Sequence, residues 1–337
     1  MRRISLTILL FALLGWSSLF GQAKVGTAGV QFLKIGVGSR AVAMGDAFTA
    51  VANDASALYY NPAGLIQLER PEAALSHIDY PAGVAYEFLG LAYPLPKMNS
   101  AVGFYVSGLW TDEMKETTPE RPYGTGRTFT ASDLAIAGVY VKRLTDKFTV
   151  GGAAKFINET LADESAYGWT ADVGTFYETG WKRISIAMLV SNFGGDMKFV
   201  SAEFPMPMNF KVAGSIVPIM NKTSKLTLDA EFSHPNDNLE MVSMGFEYTY
   251  KGLVSLRGGR KINGWSRDKW EEYVGDEQGK DPFVEYPVIN EDGNLALEGF
   301  SFGGGINFES IGLTVDYAYA SFGYFGSIHR YSLGYRF

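Results

Sequence analysis

From Pro71 onward the chain consists of segments about ten residues long in which apolar positions alternate with small or polar ones. A period of two sends successive side chains to opposite faces, so each segment reads as a two-faced β-strand. In "NSAVGFYVSGLW", Val102, Phe104, Val106 and Trp110 fall on one face, with Ala101, Gly103 and Ser107 on the other. "KFTVGGAAKF" sets Phe148, Val150, Ala154 and Phe156 against Thr149, Gly151 and Lys155. "KLTLDAEF" sets Leu226, Leu228, Ala230 and Phe232 against Thr227, Asp229 and Glu231. "MVSMGFEYTY" and "IGLTVDYAYA" repeat the pattern, with Glu247 and Asp316 opposite their apolar rows.

Alternation alone also fits a soluble sandwich, whose apolar faces turn inward. Two features favour a membrane barrel. Tyr and Phe concentrate near strand ends, where a membrane-interface girdle needs them. The connections also alternate in length. Strands starting near Ala73, Gly83, Asn99, Thr128, Lys147, Ala166, Arg183, Met208, Thr223, Asn238, Leu253, Gly299, Ile311 and Ser327 number about fourteen. After every second strand the turn is short, as in "PLPKMN", "RLTDK", "ETGWK", "PIMNK", "YKG" and "ESIG". The other connections are mostly longer, with Tyr80 to Ala82 the exception and Asn263 to Glu298 the longest. Short periplasmic turns and long extracellular loops are the asymmetry of an outer-membrane barrel. The predicted fold is all-β, a transmembrane outer-membrane β-barrel of about fourteen antiparallel strands. The final alternation ends on Tyr335 and Phe337, which resembles the C-terminal signal read by the outer-membrane assembly machinery.

The totals agree with this. The 337 residues carry a net charge of -7, no cysteine, and 23 Phe, 19 Tyr and 39 Gly. Without cysteine there is no disulfide framework and no thiolate metal site. An acidic balance argues against a nucleic-acid partner, which would require surplus Lys and Arg. "MRRISLTILLFALLGWSSLFGQA" reads as a signal peptide over residues 1–23, with Arg2 and Arg3 before the apolar run and Gly21-Gln22-Ala23 as the cleavage site. No later run is long enough for a membrane helix, so the mature chain crosses with strands. Charge divides by end. The short turns hold Lys97, Lys142, Arg143, Lys147, Lys182, Arg183, Lys222, Lys225 and Lys251, while Asp112, Glu113, Glu116, Glu120, Asp163 and Glu164 begin an acidic series in the other connections.

No catalytic constellation emerges. His77, His234 and His329 do not stand at metal-ligand spacing, and no Gly-x-Ser-x-Gly elbow or Walker loop occurs. "GTGRT" and "FGGGIN" lack the strand-loop-helix context of a phosphate site and fit a hairpin loop and a barrel strand. The expectation is a non-enzymatic protein without cofactor or metal.

The remaining segment, residues 24–70, precedes the barrel at 71–337. Its stretch "GSRAVAMGDAFTAVANDASALYYNPAGL" is too polar for a membrane span, and a wide barrel encloses more space than its own side chains fill. It is therefore placed in the lumen as a plug. Arg40, Asp46 and Asp54 are expected to pair with lumen charges, and Asn53 or Asp54 to cap a short helix through Tyr59 that Pro62 and Gly64 end. Phe48, Leu58, Tyr59 and Tyr60 are candidate contacts for an apolar ligand. The plug motif comprises Ser39, Arg40, Met44, Gly45, Asp46, Asn53, Asp54, Asn61, Pro62 and Gly64, and Gly38, Ser39, Arg40, Ala43, Met44, Gly45, Ala47, Ala50, Asp54, Ala57, Asn61, Pro62, Ala63 and Gly64 resemble the N-terminal signature of the PorV/PorQ proteins, a branch of the FadL-like outer-membrane barrels. Asp46 stands where that family often has a second Gly.

The resemblance implies a non-enzymatic component of type IX protein secretion that binds or shuttles exported proteins. Its partners would be their C-terminal signal domains, other secretion components and outer-membrane lipid. The alternative is a FadL-like channel for hydrophobic small molecules. Both place the chain in the bacterial outer membrane.

Overall fold

The computed structural model describes residues 26–263, 299–321 and 327–337. The signal read at 1–23 and the acidic run between 264 and 298 lie outside the described residues. The strands are β1 (Glu72–Tyr80), β2 (Val84–Leu95), β3 (Ser100–Thr111), β4 (Met114–Lys115), β5 (Thr128–Phe129), β6 (Ala131–Arg143), β7 (Phe148–Leu161), β8 (Glu164–Glu178) and β9 (Ile184–Gly194). They continue as β10 (Met197–Phe199), β11 (Ala202–Phe204), β12 (Asn209–Met220), β13 (Ser224–Pro235), β14 (Met241–Tyr250), β15 (Val254–Asn263), β16 (Phe300–Phe308), β17 (Leu313–Ser321) and β18 (Ser327–Arg336). Fourteen of them close an antiparallel barrel, while β4–β5 and β10–β11 form separate two-stranded hairpins. Closure is by β1 on β18, from Glu72 opposite Arg336 to Ile78 opposite Arg330. A closed ladder leaves no backbone edge facing lipid, which is the condition for a sheet to cross a bilayer.

The period-two reading holds along the strands except at bulges in β8–β9 and β12–β13, and the lumen face of β1, β2 and β3 carries the apolar Ile78, Phe88 and Tyr105. In β13, Leu228 and Phe232 are each 40% exposed, whereas Asp229 and Glu231 between them are 5% and 4% exposed. The apolar row therefore faces lipid and the charged row faces the lumen. Strand starts agree with the sequence to within three residues, and the two largest departures have visible causes. Thr128 was expected to open a barrel strand, but Thr128–Phe129 pairs with Met114–Lys115 and the wall strand begins at Ala131. Asn238 gives way to Met241, because Asp237 and Asn238 belong to the connection above. The length alternation is less regular than expected. Asp163 sits in a two-residue turn after Leu161, with Ala162 at φ 54, and Glu164 already belongs to β8.

Both barrel ends of the chain lie with the short turns, which marks that end as periplasmic. The segment from Gly26 starts at the opposite mouth, where Gly26 N–H donates to the Asp237 carbonyl and Gly29 N–H to the Pro205 carbonyl, each at 3.1 Å. It descends the lumen through the 3-10 turn Gln31–Lys34, the helices Ser39–Ala43 and Ala57–Tyr60 and the 3-10 helix Pro62–Gln67, then joins β1. Met44, Phe48, Leu58 and Leu65 are fully buried, so the segment carries its own apolar core into the barrel.

Lumen glycines receive it. Any side chain at Gly259 or Gly245 would overlap the backbone of Met44, and one at Gly303 would meet Ala43. Gly151 and Gly174 leave room for the Asn61-Pro62-Ala63 corner, and Gly90 and Gly103 for Leu58. These glycines let the plug backbone approach the wall as closely as a ligand would. They also account for much of the glycine richness of the strands.

Candidate functional site

The plug is fixed to the wall by charge. Arg40 clamps Glu247 of β14 with two bonds, Nε to Oε2 at 2.7 Å and Nη2 to Oε1 at 2.9 Å. Its Nη1 reaches Asn53 Oδ1 and Asp54 Oδ2, both at 2.7 Å. Glu247 also accepts from Arg257 Nε at 2.7 Å, and Arg257 Nη1 donates to Asp316 Oδ1 at 2.5 Å. The knot thus links two plug turns to β14, β15 and β17. Burial by itself would lower the Arg40 pKa, but Glu247 and Asp54 more than reverse that, so the guanidinium stays charged. A planar fork between carboxylates is the arrangement only Arg supplies.

A second contact is Asp46. It accepts from Lys261 Nζ at 3.2 Å and from the Tyr60 hydroxyl at 3.0 Å. Burial would raise the Asp46 pKa, but Lys261, Arg330 and Lys211 around it bring it down to about 2. Burial pushes the Tyr59 and Tyr60 hydroxyls well up, so both remain donors, Tyr59 to the Leu33 carbonyl at 2.6 Å. Third, Glu231 Oε2 accepts from the Phe48 and Thr49 N–H groups at 3.3 and 3.1 Å, while Lys211 holds its other oxygen at 2.7 Å.

Between this plug and the outer mouth lies a cavity of about 1210 Å³. Its apolar side is formed by Phe32, Leu33, Tyr59, Leu109, Phe199 and Phe204, and its polar floor by Asp46, Lys211, Lys261 and Arg330. The wall beside it is irregular. The β8–β9 ladder skips a residue between Ala171 and Val173, and Asn192 takes φ 58. That bulge is closed by a buried triad: Lys155 Nζ stands 2.7 Å from Asp172 and 2.6 Å from Asn192 Oδ1, and Asn192 N–H donates to Asp172 at 2.7 Å.

The structure distributes the expected site residues unevenly. Tyr59 and Tyr60 line the cavity. Phe48 and Leu58 do not; Phe48 packs at 5.3 Å against the Tyr60 ring and Leu58 fills the space above Gly90 and Gly103. Ser39 N–H donates to Ser332 Oγ at 2.9 Å and Gly45 N–H to Ser301 Oγ at 3.0 Å, which seats the "SRAVAMG" run on β18 and β16. Asp54 accepts from Ser56 N–H at 2.9 Å ahead of a helix ending at Tyr60. Pro62 and Gly64 were expected to end that helix. Instead Asn61 caps a second one through Ala63 N–H at 3.1 Å, and Pro62 opens it, where its missing N–H costs nothing. Tyr335 and Phe337 are exposed, with rings 4.9 Å apart, and Phe337 N–H donates to the Pro71 carbonyl at 3.0 Å. Asp172, Lys261 and Arg330 are not picked out by the sequence, and Lys155 is placed there only on the polar face of its strand. That parity is the available signal.

Neither a protein-family model nor a curated protein sequence matches the chain. Solved structures do. The Pseudomonas putida toluene transporter TodX aligns over 89% of this chain and 97% of its own, at 12% identity and a TM-score of 0.54. The Ralstonia pickettii toluene transporter TbuX aligns over 90% and 98%, at 14% identity and 0.56. A Pseudomonas aeruginosa FadL homologue aligns over 94% and 100%, at 12% identity and 0.51. The chain has the FadL-type barrel fold. At these identities the likeness establishes architecture, and the chemistry of the lumen rests on the residues above.

Proposed function

We propose that this protein is a non-enzymatic outer-membrane channel for hydrophobic or amphipathic small molecules. The observation that carries the reading is the plugged lumen with one outer cavity, apolar on one side and charged at its floor. Its volume is slightly above the roughly 300–1,000 Å³ of small-molecule sites. Two of the similar structures are toluene transporters, which supports the same class of cargo. The arginine-centred knot bars the axial path, and the β8–β9 bulge beside the cavity is a break in the wall closed by Lys155.

The secretion role that the PorV/PorQ-like signature suggests takes second place. The signature residues are spent on packing and pinning the plug, and a cavity of this size suits a small molecule better than a protein domain. A fluorescent apolar probe, 1-N-phenylnaphthylamine, tests the proposal with purified protein in detergent. Saturable binding displaced by alkylbenzenes is expected, and Phe199→Asp, which puts a charge on the apolar side, should weaken it at least tenfold. Absence of saturable binding, together with co-purification of exported proteins sharing a C-terminal domain, would reverse the order of the two readings.

A further inference from the structure

At the periplasmic end the turns share a composition that the lumen does not explain. Lys97 stands beside Met98, which is 57% exposed. Arg143 and Lys147 flank Leu144, 58% exposed. Lys182 lies 4.6 Å over the ring of Trp181, itself 63% exposed, with Arg183 next in the chain. Lys222 follows Met220, 56% exposed. Lys251 sits 5.4 Å over the Tyr250 ring and two residues before Leu253, both of them 48% exposed.

Among the described residues none of these cations lies within salt-bridge distance of a carboxylate. The lumen behaves in the opposite way, for Arg40, Lys155, Lys211, Arg257 and Lys261 are each paired with one. Acidic residues in these turns come to Asp146, Glu178 and Glu309. Isolated surface lysines are ordinary and solvated. Here a cation without a carboxylate partner recurs next to an exposed apolar or aromatic anchor in five of six turns spaced around the rim. The sixth has Ile311, 59% exposed, without a cation.

We infer that this rim grips the anionic phospholipid headgroups of the periplasmic leaflet, each anchor entering the acyl boundary while its cation meets a phosphate. Trp and Tyr rings settle at that depth, and juxtamembrane cations are drawn to anionic headgroups. The cations stand in five of the six turns around the rim, a spread that suits a lipid annulus better than a single acidic protein. The connections at the far mouth have the reverse sign, with Asp112, Glu113, Glu116, Glu120 and Asp196 among them. The two rims therefore differ in net sign. The inference rests on the chain being an outer-membrane barrel and is independent of which molecule the lumen takes.

The test is native mass spectrometry of the full-length protein in mild detergent with equimolar phosphatidylglycerol and phosphatidylethanolamine. The wild type should retain phosphatidylglycerol about fivefold over the zwitterionic lipid, equivalent to the attraction of about one surface cation. The quadruple variant Lys147→Gln, Lys182→Gln, Arg183→Gln, Lys251→Gln should approach parity. Arg121→Gln with Arg127→Gln, at the other mouth, should keep the wild-type ratio. Equal retention of both lipids by the wild type, or an unchanged ratio in the quadruple variant, overturns the inference. A heat-dependent gel shift of each sample shows that the barrel is folded, and its absence in the wild type would count against the barrel itself.

Discussion

Replacing Arg40 with Ala should unseat the plug while leaving the barrel closed. The guanidinium makes four charge-assisted bonds between 2.7 and 2.9 Å, two to Glu247 and one each to Asn53 and Asp54. Glu247 is 5% exposed in its side chain and Asp54 18%, so removal strands one carboxylate in the lumen and half-frees another. Arg257 still holds Glu247, which softens the loss. Breaking one partner of a buried pair costs about 3–5 kcal/mol. The contact of Arg40 with the Phe48 ring, 5.1 Å away, adds roughly 0.5–1 kcal/mol. Taking the lower bound for the retained Arg257, the population with an undocked plug rises about a hundredfold or more, at tenfold per 1.4 kcal/mol. Two assays read this. Planar bilayers should show openings in the variant that are rare in the wild type, and a nonspecific protease should cut residues 26–71 faster while the heat-dependent gel shift persists. Arg40→Lys, which keeps the charge but not the fork, should fall between. Unchanged conductance and unchanged cleavage in a folded Arg40→Ala barrel would refute the claim that this knot holds the plug.

Three further outcomes follow from other contacts. Gly259→Leu places a side chain where the Met44 backbone lies, so it should expose the plug to protease as Arg40→Ala does, whereas Gly152→Leu, on β7 across the barrel and without plug contact, should not. Lys155→Ala leaves Asp172 buried without its cation and should lower thermal stability by about 3–5 kcal/mol, while Lys155→Met with Asp172→Leu should restore most of it; heat-dependent gel mobility measures both. Asp46, ordinarily near 3.8 and here about 2, gives a pH window. A depressed carboxylate contributes stability that is complete above its unfolded pKa and is lost as pH falls through the folded one. Pepsin cleavage of the plug should therefore accelerate between about pH 4 and pH 2, and Asp46→Asn should abolish that part of the acceleration.

The barrel was legible because lipid and lumen impose opposite chemistries on alternate residues, and a chain that must satisfy both writes the period into every strand. The terminal Phe337 and the six short turns follow from the same constraint. The plug's placement was legible too, from Gly and Ala beside Arg40, Asp46 and Asp54, but its attachments were not. Which lumen charge meets Arg40 depends on how far fourteen strands tilt and stagger, and no local pattern carries that. Phe48 and Leu58 looked like ligand contacts because burial and ligand contact ask for the same side chains. The two-residue turn at Ala162 and Asp163 was hidden by "ADES", whose polarity resembles a longer loop.

The plug is held by ion pairs and close glycine contacts together with an apolar cluster that joins Leu58, Tyr60 and Leu65 to Phe88, Tyr105 and Ile157 of the wall, and under the proposed channel reading this bears on how a molecule leaves the cavity. Ion pairs taken out of water return little net stability, since desolvation offsets most of their attraction, but they strongly penalise any misplaced register. The ion pairs therefore fix where the plug sits, while the apolar cluster it shares with the wall supplies stability that wetting the lumen would remove. The Lys155, Asp172 and Asn192 triad in the wall has the same character, at the one point between β8 and β9 where the ladder already lacks a rung. Cavity and bulge adjoin, since Lys155, Ser191 and Asn192 line both. The axial exit requires Arg40 to release Glu247, Asn53 and Asp54 together and the plug to leave its apolar cluster, whereas the lateral exit requires the Lys155, Asp172 and Asn192 triad to open. Fewer bonds break on the lateral path, so Lys155→Met with Asp172→Leu, which seals the bulge with apolar packing, should slow passage of an apolar probe through a reconstituted membrane. Unchanged passage through a folded double variant would place the exit along the axis.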